Sequence, residues 1–329
     1  MRVLIAVLCL TFCQGAFAAD VLKGRVSGTV PKGSVWEQQW LRRIDLIKQS
    51  PLADLEYYIY GELGNEEQVL GSLRRGRVQI ASGSLWGLAA LVPEVAVFSL
   101  PYLFESAAEA DYVYDCCASA IIEPYLEKQG YKFLSWSEAG WTNFYGQHAM
   151  TTPDSVRGEK LRTPSTASVS VFFQQLGIDT VFIPINDVVP GLQTGMVTGG
   201  ASSLPWYFNA FKDQARHYTL TEHHYESTVL MANAAWFSAA TPDQQKMLLD
   251  VFSGFSKQRL VVRADVDGKI AQLREAGYQV HALTDDQRRA WIDAAQKTHP
   301  AILAEIGGDA EKIYAEILKA KAAFKAQQD

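Results

Sequence analysis

The apolar and polar positions along the chain switch repeatedly between a period of two and a period near 3.6, which is the pattern of strands alternating with helices. An early strand ends near Gly28, and Ser34 to Gln49 then carries Trp36, Trp40, Ile44 and Ile47 at helical spacing. Leu55 to Tyr60 is β-like, Glu66 to Arg75 is a short helix stopped by Gly76, and Val78 to Ser82 is the next strand. Ser106 and Glu109 form a capping box, in which hydroxyl and carboxylate reciprocally satisfy first-turn N–H groups, and they open a helix to Gln129. Gly130 ends it, and Tyr131 to Trp136 returns as a strand.

The second half keeps the rhythm. Lys160 to Arg162 is a short strand closed by Pro164, and Ser165 or Thr166 caps a helix running to Leu176. Thr180 to Ile183 is a strand, and Asn186 caps Asp187 to Thr194, with Pro190 near the first turn where its missing N–H costs little. Thr241 with Gln244 and Thr284 with Gln287 mark two more capping boxes. The first opens one long helix from Pro242 to about Glu275, which at ~1.5 Å per residue is long enough to cross more than one domain. No internal repeat or low-complexity linker separates these elements. The expected class is α/β, with two lobes joined by ordered crossings and a cleft between them, where small ligands bind and hinge closure occurs.

Residues 1 to 18 stand outside that pattern. Arg2, an apolar core from Val3 to Phe12 and Ala16-Phe17-Ala18 predict a cleavable signal peptide, with the mature chain starting at Ala19 and exported. The apolar stretch is too short to span ~30 Å of hydrocarbon, and Leu10-Thr11-Phe12 lacks the small residues that precede a lipidated Cys13. No later segment is apolar enough to embed the protein in a membrane.

The 329 residues suffice for about two domains. The net charge of -6 becomes -7 once the signal takes Arg2 with it, leaving 29 Lys+Arg against 36 Asp+Glu. A mild acidic excess without a basic block argues against nucleic acid or an anionic membrane surface as partner. Four cysteines fall to two, Cys116 and Cys117, adjacent within an expected helix whose neighbouring positions point ~100° apart. A vicinal disulfide is therefore unfavourable, and small buried apolar side chains are expected instead. No Cys or His pair has metal-ligand spacing, and no cofactor is implied.

Catalytic motifs are missing as well: there is no nucleophile elbow, no P-loop, no H-E-x-x-H and no dinucleotide fingerprint. An enzyme would have to draw its acid, base or nucleophile from scattered residues such as Asp187, Glu138 or His148. A ligand-dependent sensor or partner-docking protein is the other alternative class.

Five segments then occur in a characteristic order: Glu62-Leu63-Gly64; Leu73 to Ala81; Pro93-Glu94-Val95 with Leu100 to Phe104; Arg157 to Pro164; and Gly191 to Val197. Together they resemble the TRAP transporter solute-binding proteins of the DctP type, over about Glu56 to His224. The resemblance implies a periplasmic binding protein that captures an organic acid and delivers it to TRAP membrane permease subunits. It also implies two interleaved lobes, 19-140 plus about 228-265 and 141-227 plus about 266-329, with a long helix spanning both.

Arg162 matches the arginine that grips the substrate carboxylate in that family, whereas spacing alone would make it a surface salt bridge. A planar guanidinium offers two parallel N–H donors, a geometry Lys does not reproduce. Two departures matter: Thr142 stands where many members have a second arginine, and Ser202 falls where a pocket Asn is usual. Losing a charge and an amide weakens the case for a C4-dicarboxylate. Trp36, Trp86, Trp141 and Trp206 fall where loops of such proteins face the cleft, although a tryptophan is more often core. The expected ligand is a monocarboxylate with an apolar or aromatic body.

Overall fold

A computed structural model describes residues 21–328 of the chain; the expected signal peptide and its two cysteines lie outside the described residues. The strands are β1 (Leu22–Ser27), β2 (Ala53–Tyr58), β3 (Ile80–Ser84), β4 (Tyr131–Gly146), β5 (Lys160–Thr163), β6 (Asp179–Phe182), β7 (Gly199–Ser203), β8 (His217–Asn233) and β9 (Gln279–Ala282). The helices before β4 are α1 (Val35–Lys48), α2 (Glu66–Arg74), α3 (Leu85–Leu88), α4 (Ala107–Val113) and α5 (Ser119–Lys128). Between β5 and β8 come α6 (Ala167–Gln175), α7 (Val188–Gln193) and α8 (Leu204–Trp206). Then follow α9 (Ala234–Ala239), α10 (Pro242–Phe252), α11 (Phe255–Glu275), α12 (Asp285–Gln296), α13 (His299–Ile306) and α14 (Ala310–Lys325).

All strands belong to one sheet ordered β2-β1-β3-β8-β4-β7-β5-β6, with β9 also on β8. The long strands β4 and β8 pair antiparallel from Tyr131↔Asn233 to Gly146↔His217, and they join two sets of short strands. At one end β8 carries β3, with β1 and β2 parallel beyond it; at the other, β4 carries β7, β5 and β6, while β8 carries β9. This is the expected two-lobed α/β architecture. The crossing strands are buried on both faces, which is why His217–Asn233 lacks a clean alternation and does not announce itself as a strand.

Local chemistry explains most boundaries. Ser34 Oγ accepts from Glu37 N at the start of α1, and complete capping boxes open α2, α10 and α12. Three expectations change. The helix expected from Pro242 to Glu275 is two helices, because Gly254 takes a left-handed φ of 89° that a continuing helix cannot use. The remaining 21-residue α11 still reaches from α1 to β4 and β9. Asn186 does not cap α7; it lies in a 3-10 turn, Ile185–Asp187, and Asp187 occupies the cap position without a side-chain bond. Cys116 and Cys117 form a disulfide, and Cys116 is exposed. The ~100° separation of neighbours belongs to a regular α-helix, but Tyr114–Ala118 is a π-turn between α4 and α5, and its wider coil turns less per residue.

The C-terminal helix also sits elsewhere than expected. Residues Ile313, Ile317 and Ala320 form one helical stripe buried in the core shared with α4, so α14 packs on α4 and the π-turn that follows it, elements of the first half of the chain. Lys325 Nζ lies 2.8 Å from Glu105 and Lys321 Nζ 3.3 Å from Glu109 across this contact.

Candidate functional site

A cavity of about 110 Å³ lies where the two strand sets meet. Helix α1 presents Trp36, Gln39, Trp40 and Arg43 to it, positions i, i+3, i+4 and i+7 on one face. Strand β8 contributes Glu226, Thr228 and Leu230, and β3 contributes Ser82 and Ser84, each set at the period-two spacing of one strand face. Arg162 enters from β5, and Ala201, Ser202, Ser203 and Trp206 from β7 and α8.

Six of the seven expected residues therefore line one cavity: Arg162, Thr142, Ser202, Trp206, Trp36 and Trp86. Trp141 does not. In β4, Ser137 and Ala139 face the cavity, but the ladder slips between Glu138↔Ser227 and Gly140↔Glu226. This bulge, where Gly140 takes φ 87°, inserts one residue and changes which parity faces the cavity, so Thr142 points in and Trp141 points out.

Arg162 is 6% exposed, and its Nε donates to the Ile183 carbonyl at 2.8 Å. No carboxylate pairs with it within 4 Å among the described residues, and burial pulls the guanidinium below its ordinary range. Gly200, its ladder partner, makes the approach feasible: a Cβ there would lie 2.7 Å from Tyr145 Oη and 3.3 Å from Arg162 Cβ. Several other cavity-wall atoms are buried without a hydrogen-bond partner among the described residues: Thr142 Oγ1, Trp86 Nε1, Gln39 Oε1, Arg43 Nε and Glu226 Oε2. Buried polar atoms are normally satisfied, so these five leave donors and acceptors on the cavity wall open to a ligand.

Sequence reasoning missed Arg43, Trp40, Glu66 and Glu226. The i, i+4, i+7 run Trp36, Trp40, Arg43 was an available signal for the first two. Arg43 is buried between Trp40 and Phe252, 5.8 and 5.7 Å from their rings, donates to Gln258 Oε1, and is pulled down to about 10 by burial. Glu66 accepts from Ser84 N at 2.5 Å and Ser84 Oγ at 2.7 Å; burial pushes its carboxyl up, and those bonds oppose the shift. Glu226 accepts from Trp86 N at 3.3 Å, and burial pushes it well above the carboxylate range. Only the fold brings Glu226 to Trp86, 140 residues away.

The three residues weighed for catalysis do not converge. Glu138 is an ion-pair partner of Arg263 at 3.0 Å, Asp187 is exposed, and His148 lies 3.7 Å from Glu159; none lines the cavity. No group of three or more His, Cys, Asp or Glu side chains fit for a metal occurs among the described residues, nor any helix long and apolar enough to cross a membrane.

Comparison with known proteins identifies the family and the fold. Residues 31–305 match the family model of bacterial extracellular solute-binding protein, family 7 (DctP). The 2,3-diketo-L-gulonate-binding periplasmic protein YiaO of Escherichia coli is 26% identical over 76% of this chain and 77% of its own. The C4-dicarboxylate-binding periplasmic protein DctP of Vibrio cholerae is 23% identical over 78% of each. Among solved structures, the sugar acid binding protein of Advenella mimigardefordensis in complex with galactonate superposes with a TM-score of 0.84 at 23% identity, covering 91% of this chain and 99% of that one. The ectoine-binding protein of the Halomonas elongata TRAP transporter gives 0.85 at 18% identity, covering 92% and 99%. These relatives are binding proteins and not enzymes, and the chain belongs to the DctP family of bacterial extracellular solute-binding proteins.

Proposed function

We propose that this protein is the periplasmic solute-binding subunit of a TRAP-type transporter, which takes an organic acid into the cavity and hands it to membrane permease subunits. The carrying observation is Arg162: a cation 6% exposed, without an anionic partner among the described residues, on the wall of a cavity. Burying an unpaired charge is costly, and a ligand carboxylate relieves that cost with two parallel charge-assisted bonds. Relatives named for 2,3-diketo-L-gulonate and C4-dicarboxylates, and a similar structure with bound galactonate, support an acid as ligand.

The aromatic walls argue for the finer reading, a monocarboxylate with an apolar or aromatic body. Its acid sits on Arg162 near Thr142 and Ser202, and its body lies against Trp36, Trp86 and Trp206, with Trp40 completing the enclosure. Lobe I comprises residues 21-140 plus about 228-265 and lobe II 141-227 plus about 266-309, with α14 returning to lobe I. Ligand contacts made from both lobes at once favour the closed form, since a ligand shifts a conformational equilibrium only through differential affinity.

Thermal-shift titration tests the ligand class. Aryl and cycloalkyl monocarboxylates should raise the melting temperature and succinate should not; a clear shift with succinate alone overturns the monocarboxylate reading. Genes for two membrane subunits beside this one are expected, and their absence would count against the transporter.

A further inference from the structure

The cavity carries two kinds of demand. Arg162 calls for an anion, whereas Glu226 calls for the opposite charge. Glu226 is 4% exposed, faces the cavity from β8, and leaves Oε2 without a partner while its carboxylate takes backbone N–H groups of α3, Trp86 at 3.3 Å and Leu85. No Lys, Arg or His pairs with it within 4 Å among the described residues. The titratable and charged groups around it are Glu66 from α2 and Tyr114 from the π-turn, with Arg162, Arg43 and Glu67 on the cavity walls. Glu66 is already engaged by Ser84, so its charge reinforces the local negative field and leaves Glu226 unrelieved. Four tryptophans line the same space, and the negative faces of aromatic rings attract cations.

We propose that Glu226 is a second, cation-recognising subsite, and that the ligand is a zwitterion whose carboxylate sits on Arg162 and whose basic nitrogen sits at Glu226. This rests on the reading of the cavity as an organic-acid site. Burial raises the free carboxyl well above its ordinary range and favours its protonated form, so a cationic nitrogen arriving there forms an ion pair and sends any proton the carboxyl carries to solvent. A hydroxyl in its place would share the existing proton and release none. Proton release therefore separates a zwitterionic ligand from a hydroxy acid.

Calorimetry at pH 7, in two buffers of different ionisation enthalpy, provides the test. The probes are the three isomeric piperidinecarboxylates, the matched hydroxycyclohexanecarboxylates and cyclohexanecarboxylate. At least one piperidinecarboxylate should bind tenfold or more tighter than its carbocyclic counterparts and release up to one proton. Glu226→Gln should shrink that preference towards one and remove the proton release. The wild-type comparison decides even if the variant folds poorly. Neutral-bodied acids binding as tightly as the amines, or an amine preference that Glu226→Gln leaves intact, overturn the inference and leave acid capture standing. If no acid binds and Arg162→Ala changes nothing, acid capture itself falls and this inference with it.

Discussion

Trp141 stands directly opposite Tyr225 on the β4–β8 ladder, ring centroids 5.1 Å apart and nearly perpendicular, on the face turned away from the cavity that Thr142 lines. The pair is a cross-strand aromatic contact, worth about 0.5–1.5 kcal/mol beyond its buried area. Trp141→Leu should therefore lower stability by about 1–2 kcal/mol in urea unfolding while ligand affinity stays within about twofold. A large affinity loss without a stability change would place Trp141 in the cavity.

Arg162 should separate stability from function. In Arg162→Ala the ligand carboxylate loses its partner, at a cost of about 3–5 kcal/mol, or roughly two to three and a half orders of magnitude in Kd. The unliganded variant should melt close to the wild type, since it sheds a desolvated cation along with one hydrogen bond to Ile183. Arg162→Lys should rescue little, because an ammonium lacks the planar fork. Calorimetry and melting curves on both variants check this; full affinity in Arg162→Lys would contradict the bidentate grip.

How far the site is legible in the sequence follows from which interactions set it. Local signals worked where one residue type satisfies a backbone need, as at Thr241 with Gln244 or Thr284 with Gln287. Arg162 was found through its surrounding motif, because spacing alone cannot tell a buried arginine from a surface one. Trp141 misled because a bulge at Gly140 changes strand parity, and nothing local to Trp141 records it. Glu226 was invisible for a different reason: β8 is buried on both faces, so its polar residues read as noise until β3 and α3 are packed against it.

Gly200 is constrained by space. A methyl group there meets Tyr145 Oη at 2.7 Å and Arg162 Cβ at 3.3 Å, so Gly200→Ala must push one of them aside. Ligand affinity should fall by about tenfold or more, since sub-ångström displacement of a bidentate donor is costly. Adding Tyr145→Phe removes the hydroxyl, the nearer obstruction, and should restore part of the loss. No recovery in the double variant would mean that the backbone of β7, and not Tyr145, yields to the methyl group.

Arg263 anchors α11 to both neighbours. Its guanidinium donates to Asp111 Oδ2 at 2.8 Å and to Glu138 Oε1 at 3.0 Å, and Glu138 is only 2% exposed. Arg263→Met leaves that carboxylate buried and unpaired, so chemical denaturation should show a loss of about 3 kcal/mol or more. Pairing it with Glu138→Gln should recover part of the loss; strictly additive losses would show that the two side chains are not coupled.

Glu226 predicts a pH signature in the unliganded protein. Its folded pKa is raised by burial, with no cation to oppose the shift, so the folded state binds more protons than the unfolded state once pH passes the unfolded value near 4.5. Where the folded state binds more protons, stability falls as pH rises. The penalty is absent below the unfolded pKa, grows through the window up to the raised folded pKa, and is constant above it. Glu226→Gln cannot titrate, so it should match the wild type at about pH 4 and exceed it at neutral pH by more than the ~0.5 kcal/mol of an ordinary surface change. Glu66 shifts in the same direction and remains in the variant, so some pH dependence should persist. Urea unfolding of both proteins between pH 4 and 8 measures the difference, and parallel curves across that range would show that Glu226 is ionised and satisfied in the free protein.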